Sequence, residues 1–272
     1  LSKKTSIFHV GPQKSATTWI YQALKHHPDI NAPATDTIHF FDINYHKGEA
    51  WYEGFFKNDE EKIRFDPTYT YIRSKCAPER ISKYNPDAKI VLTARNPVER
   101  AFSHYWHEKK KDRFNFKFDE LFENYDLFEN WIEPGMYAMH YRRFLEFFPK
   151  EQIKILFLEQ LRDEPEKFFE EICEFTEISK DYTPDILHKK VNAAGRFKSR
   201  SQRKIETWSK ALPLINLILR TKDKLSSRRI ESLEDVSVPV RNNLVDVFYD
   251  DVCQLEEITG RDLSKWKIKY ET

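Results

Sequence analysis

Apolar positions along this chain follow two rhythms. Short runs rich in β-branched and aliphatic residues stand at 5–10, 88–94 and 152–159, and Ile63 and Phe65 alternate with polar residues at 62–66; segments of that length read as strands. Between them, apolar residues recur three and four apart, at 19–25, 77–84, 135–149, 165–178 and 240–258, which is helical spacing. Proline and glycine mark the joints: Pro78, Pro97 and Pro165 suit first helical turns, Asn85-Pro86-Asp87 a turn, and Gly260 a helix end. Strands alternating with helices predict an α/β protein. The expected architecture is a three-layer fold, with a central mostly parallel sheet flanked by helices on both faces.

At 272 residues the chain fits one large domain over 1–272. Apolar residues make up 40% and aromatics 15%, enough for a sizeable core. No apolar run approaches the ~20 residues needed to cross a bilayer, and no signal-peptide core is visible at the start. The net charge is +1, so overall charge argues for neither a nucleic-acid nor a membrane partner, and any anion site must be local. Cys76, Cys173 and Cys253 are odd in number and far apart. That suggests reduced thiols and a cytoplasmic protein. Without a C-x-x-C pair a structural zinc site is not expected. His104 and His107 lack a third ligand, so no metal is expected.

The richest chemistry lies at the first strand-to-helix joint. Residues 11–19 read Gly-Pro-Gln-Lys-Ser-Ala-Thr-Thr-Trp. A helix N-terminus presents free N–H groups and a partial positive charge. Lys14 adds a full charge, and Ser15, Thr17 and Thr18 add hydroxyl donors. Four potential anion donors in five residues suit a phosphate or sulfate better than a plain connection with one exposed Lys. The stretch is not a Walker A loop, which places Gly-Lys-Ser/Thr after a longer glycine-rich turn. A second stretch follows the 88–94 strand: Arg95-Asn-Pro-Val-Glu-Arg100-Ala-Phe-Ser103-His-Tyr. Arg95 offers a planar fork matched to phosphate, and Arg100 suits a structural pairing with a carboxylate.

The stretch GPQKSATTW resembles the 5′-phosphosulfate loop of the sulfotransferases that use 3′-phosphoadenosine 5′-phosphosulfate (PAPS), usually G-x-x-K-x-G-T-T-W/A. Ala16 stands where that family most often has Gly, a mild departure as long as its φ stays negative. The run from Arg95 to Tyr105 resembles the family's 3′-phosphate motif, and Arg95 and Ser103 match its ligands. The resemblance implies that the three-layer fold is P-loop-like and that a nucleotide is held by Gln13, Lys14, Ser15, Ala16, Thr17, Thr18 and Trp19, with Trp19 beside the adenine. It also implies a late basic loop over the nucleotide, for which Arg196, Lys198 and Ser199 are the candidates.

Residues 36–56 resemble the segment after the first helix in heparan sulfate sulfotransferases, and NYHKG-x-x-WY resembles the N-sulfotransferase branch. There a Glu serves as base, but here Thr37 occupies its position, and a threonine cannot act as a base at neutral pH. Three readings stay open: Asp36 takes over, His39 is the base, or the acceptor needs little help. Asp36 equally suits an Asx-turn, and His39 a half-buried ring bonded to backbone. Thr37, Phe40, Tyr45 and Tyr137 are the candidate acceptor contacts, although such rings are as often core. The implied reaction is sulfuryl transfer from PAPS to a hydroxyl or amine of a small-molecule acceptor, with a heparan-like glycan as the alternative. A non-catalytic nucleotide-binding relative and a P-loop kinase are weaker alternatives.

Overall fold

The computed structural model describes residues 4–57, 59, 61–109, 111, 116–123, 125–189, 233 and 236–271. Five strands form its sheet: β1 (Ile7–Gly11), β2 (Ile30–Asn31), β3 (Ile63–Asp66), β4 (Lys89–Ala94) and β5 (Ile153–Phe157). Their order is β2-β3-β1-β4-β5, and every pairing is parallel. The helices are α1 (Thr17–Lys25), α2 (Glu49–Glu53), α3 (Ala77–Tyr84), α4 (Pro97–Lys109), α5 (Tyr125–Leu127), α6 (Tyr137–Leu145), α7 (Leu158–Asp163), α8 (Pro165–Thr176) and α9 (Val238–Thr259). The expected α/β layering holds, with the sheet wholly parallel among the described strands.

Alternation along the strands sorts the core into two layers. Phe8, Val10, Ile90, Leu92 and Ile153 face one side, where they pack with α3 and α6 and with Phe40, Phe41 and Tyr52. The same side continues through Ala94 and Phe157 into the packing of α4, α6 and α9. Ile7, Phe65, Val91 and Leu156 face the other side, against α1 and α8 through Trp19, Ile20, Phe168 and Ile172. Strands buried on both faces read as continuous apolar runs, which is why they were visible in the sequence.

The topology fixes where a ligand can bind. From β1 the chain turns toward β3 and β2; from β4 it turns toward β5. Neighbouring β1 and β4 therefore send their connections in opposite directions, and a crevice opens beyond their carboxyl ends. His9 and Thr93 lock the two strands below it. His9 Nε2 lies 3.1 Å from Thr93 Oγ1, which in turn donates to Gly11 O at 3.4 Å. Burial lowers the His9 pKa to about 3, so this contact is made by a neutral ring. No described helix is long and apolar enough to cross a membrane.

Residues 118–123 and 125–132 form short helical turns whose Phe118, Leu121 and Trp131 enter the core. Arg100 is fully buried and finds no carboxylate: its Nη2 donates to Trp131 O, and Nε and Nη1 have no hydrogen-bond partner among the described residues. Burial pulls its pKa down to about 10.

Candidate active site

The loop after β1 is built tightly. Gly11 has φ 105°, and a Cβ there would stand 2.0 Å from Tyr69 O, so only glycine lets the 66–71 segment close on it. Lys14 and Ala16 both lie in the left-handed region, at φ 73° and 64°. The expectation of a negative φ at Ala16 is thus overturned: the residue turns the chain into α1 in the conformation glycine adopts most readily. Ala16 O accepts from Ile20 N at 3.0 Å, so Thr17, Thr18 and Trp19 form the first turn. The N–H groups of a first turn have no acceptor within the helix.

The loop after β4 meets it. Asn96 caps α4, its Oδ1 accepting from Val98 N at 3.0 Å and Glu99 N at 3.2 Å. Arg95 projects back, and its Nη1 donates to Lys14 O at 3.4 Å. The two sequence motifs therefore touch. Between them lies a cavity of about 680 Å³ lined by Gln13, Lys14, Ala16, Thr17, Thr18, Trp19, Asp36, Arg95 and Ser103. Ser15 does not line it; it is buried, with its hydroxyl near that of Tyr137.

Sequence reasoning missed half the wall. Tyr69, His107, Leu158, Leu161, Arg162, Pro165, Leu187, His188 and Lys189 also line the cavity. His107 follows Ser103 by one helical turn on α4, a spacing that placed it on the same face. The shelf of Leu158, Leu161, Pro165 and Leu187 comes from β5–α8 and the 187–189 segment, which no local pattern tied to the first loop. Trp19 stands edge-on to Phe168 at 5.6 Å, and its Nε1 donates to Ile186 O at 3.2 Å. It is largely core, with one part on the cavity wall.

The four expected acceptor contacts lie elsewhere. Phe40 is fully buried and stacked on Tyr52 at 4.7 Å; removing so large a ring from water outweighs presenting it to a ligand. Tyr45 is on the surface beneath the Arg80 guanidinium, at 4.4 Å. Thr37 turns into its own loop, where its N–H and carbonyl meet Thr35 Oγ1. Tyr137 is buried: its hydroxyl donates to Arg95 O at 2.8 Å and accepts from Arg95 N at 3.2 Å. Burial pushes its pKa up to about 12, so it pins the Arg95 backbone as a neutral phenol. Arg196, Lys198 and Ser199 lie outside the described residues.

Asp36 and His39 part company. Asp36 lines the cavity; His39 does not. His39 has φ 58°, and its Nδ1 sits 3.2 Å from Asp42 Oδ2 and 3.1 Å from Thr70 Oγ1. Thr70 Oγ1 donates to the same Asp42 oxygen at 2.6 Å. The bond to Asp42 raises the His39 pKa against the effect of burial. Burial would raise the Asp42 carboxyl, but bonds from His39, Thr70 and the Ile43 N–H hold it below the ordinary value. This is the arrangement of an oriented imidazole.

The whole loop is anchored by Asp66. Asp66 is fully buried and accepts from Tyr52 OH at 2.9 Å, Tyr71 OH at 3.0 Å, and Thr68 N and Oγ1 at 2.9 and 2.5 Å. Thr68 Oγ1 in turn accepts from Ile38 N at 2.9 Å.

Comparison with known proteins identifies the family. Residues 4–211 match the family model described as Sulfotransferase domain. Bifunctional heparan sulfate N-deacetylase/N-sulfotransferase 4 of Mus musculus is 33% identical over 194 residues, covering 64% of this chain and 22% of the relative. The human N-deacetylase/N-sulfotransferase 1 is 33% identical over 190 residues, with 62% and 22% covered. The chain thus spans about a fifth of the length of these curated relatives. A crystal structure of a sulfotransferase from Alicyclobacillus acidocaldarius shares the fold with a TM-score of 0.70 at 24% identity, over 98% of this chain and 100% of that one. Mouse sulfotransferase SULT7A1 complexed with PAP shares it with a TM-score of 0.54 at 17% identity, over 94% and 90%. With three quarters of its length inside one family's pattern, this chain belongs to the sulfotransferase domain family.

Proposed function

We propose that this protein transfers a sulfuryl group from PAPS to a hydroxyl or amine of a small-molecule acceptor. One observation carries the reading: the Lys14 turn and the Arg95 fork share one cavity, with Arg95 Nη1 on Lys14 O. The donor set fits a nucleotide phosphorylated at both ends. Thr17, Thr18 and the first-turn amides of α1 hold the 5′-phosphate. Arg95 and Ser103 hold the 3′-phosphate, and the shelf of Leu158, Leu161, Pro165 and Leu187 takes the flat face of the base. PAPS supplies the activated sulfuryl group.

Sulfuryl transfer resembles phosphoryl transfer, with charge building on the leaving oxygen of an in-line displacement. Lys14 donates to that oxygen and stabilises the departing phosphate, while the α1 dipole supports the same charge. Such a site works by positioning and charge, and Lys14 takes the place a metal holds in kinases. Among the described residues, no group of three or more His, Cys, Asp or Glu is placed to hold a metal. Asp36 is the only carboxylate among the described residues lining the cavity, and we assign it the acceptor's proton. His39, steadied by Asp42, stands behind it as the second candidate.

A second reading, sulfation of a glycan amine, draws on NYHKG-x-x-WY and on the names of the relatives. Transfer of radiolabelled sulfate from labelled PAPS across a panel of small amines, phenols, alcohols and de-N-sulfated glycan tests both. Label on a small molecule supports the first reading, label on the glycan alone replaces it with the second, and label on neither overturns the reaction.

A further inference from the structure

Arg95 does not meet the cavity with an empty fork. Its Nε and Nη2 both donate to Glu99 Oε2, at 3.3 and 3.0 Å, leaving Nη1 on Lys14 O. Glu99 lies one turn further along, in the first turn of α4. It is half exposed while the Arg95 side chain is largely covered, at 49% and 23%. A second carboxylate stands close: Glu159 Oε1 accepts from Asn96 N at 3.2 Å, and its Oε2 is buried with no hydrogen-bond partner among the described residues. Burial raises the Glu159 pKa, and the nearby Glu99 charge raises it further. The cation proposed to hold a phosphate is therefore already neutralised by one carboxylate, with another beside it.

A phosphate arriving at Arg95 must displace a carboxylate rather than water alone. A partly exposed ion pair between residues four apart contributes little, so it yields readily yet still subtracts from binding. Building on the nucleotide reading above, we infer that Glu99 is an internal competitor for the 3′-phosphate. It occupies the Arg95 fork in the empty protein, returns to it as product leaves, and sets how tightly the 3′-phosphate is held. Glu99 is in this sense a specificity-determining residue: it acts on nucleotides carrying that phosphate and leaves others untouched.

Calorimetric titration of the wild-type protein and Glu99→Gln with two probes, 3′-phosphoadenosine 5′-phosphate and adenosine 5′-phosphate, tests this at one ionic strength. Glutamine keeps the length and a carbonyl oxygen for Arg95, so thermal unfolding should match the wild type. The expected result is that the variant binds 3′-phosphoadenosine 5′-phosphate roughly two- to fivefold more tightly, with adenosine 5′-phosphate unchanged. Unchanged or weaker binding of the first probe, in a protein whose wild type still prefers it, overturns the inference and leaves the nucleotide reading standing. A wild type with no preference between the probes overturns that reading and the inference with it.

Discussion

At Gly11 the absence of one carbon atom decides whether the anion loop can close. The Tyr69 carbonyl fills the place a Cβ would take, and this clash is with backbone, which cannot rotate away. Gly11→Ala should therefore cost about 3 kcal/mol or more, read as a large fall in melting temperature. Ala16 presents the reverse case. Its left-handed φ costs an L-residue roughly 1 to 2 kcal/mol, part of which glycine's greater freedom in the unfolded chain takes back. Ala16→Gly should stabilise the protein by about 0.5 to 1 kcal/mol, measured by denaturant unfolding. Lys14→Ala should leave that stability nearly unchanged while lowering turnover by about a hundredfold or more, seen in steady-state assays. Lys14, Thr17, Thr18, Arg95 and Ser103, which line one cavity, could be picked out because charge and hydroxyls stand in contiguous runs. The φ of Ala16 was not, since backbone angles at a junction are imposed by what packs against it.

The 36–42 loop behaves as one element, and its behaviour depends on pH. His39 has its pKa raised above 6.5 by Asp42, so its contribution to stability is full below 6.5 and fades as pH rises through the folded value. Asp42 is held below 3.8, so its contribution is present above 3.8 and lost as pH falls through its lowered value. The pair is therefore worth most between about pH 4 and 6.5. Asp42→Asn should lower the melting temperature more at pH 6 than at pH 8.5; an equal loss at both would remove the ion pair from the account. Helix α6 depends on a neighbour in a similar way. Asp251 of α9 accepts from Ala138 N at 3.0 Å and Met139 N at 2.8 Å, satisfying first-turn donors that α6 cannot satisfy itself. Asp251→Ala should cost about 1 to 2 kcal/mol, and it should also weaken nucleotide binding, because α6 carries the Tyr137 that pins Arg95. Most helices and four strands could be read from periodicity. The two-residue β2 is too short to leave a pattern. In the aromatic-rich 38–56 stretch, which suited a ligand cradle and core equally, Phe40, Phe41 and Tyr52 fold as core, because Asp66 and Tyr71 gather them inward from elsewhere in the chain.

For the molecule as a whole, alternation of strands and helices made the layered fold legible, while the placement of β1 at the centre was not. That order depends on which strands pair, and pairing leaves no local trace. It is nevertheless what brings residues roughly eighty positions apart into one cavity. A ligand seated there stabilises the fold by mass action, about 2.7 kcal/mol at a hundred times its dissociation constant. 3′-Phosphoadenosine 5′-phosphate should accordingly raise the melting temperature and ATP with magnesium should not, and a chelator should leave turnover unchanged.

The central position of β1 also bears on how the binding site comes into being. Its lysine turn precedes β4 in the chain, and the guanidinium that meets it arrives only when β4 docks alongside, after a long loop has closed. Until then the chain holds two half-sites with no ligand between them. On the nucleotide reading proposed above, affinity is thus a gauge of sheet assembly: a form of the protein that has not zipped β4 onto β1 should fail to bind.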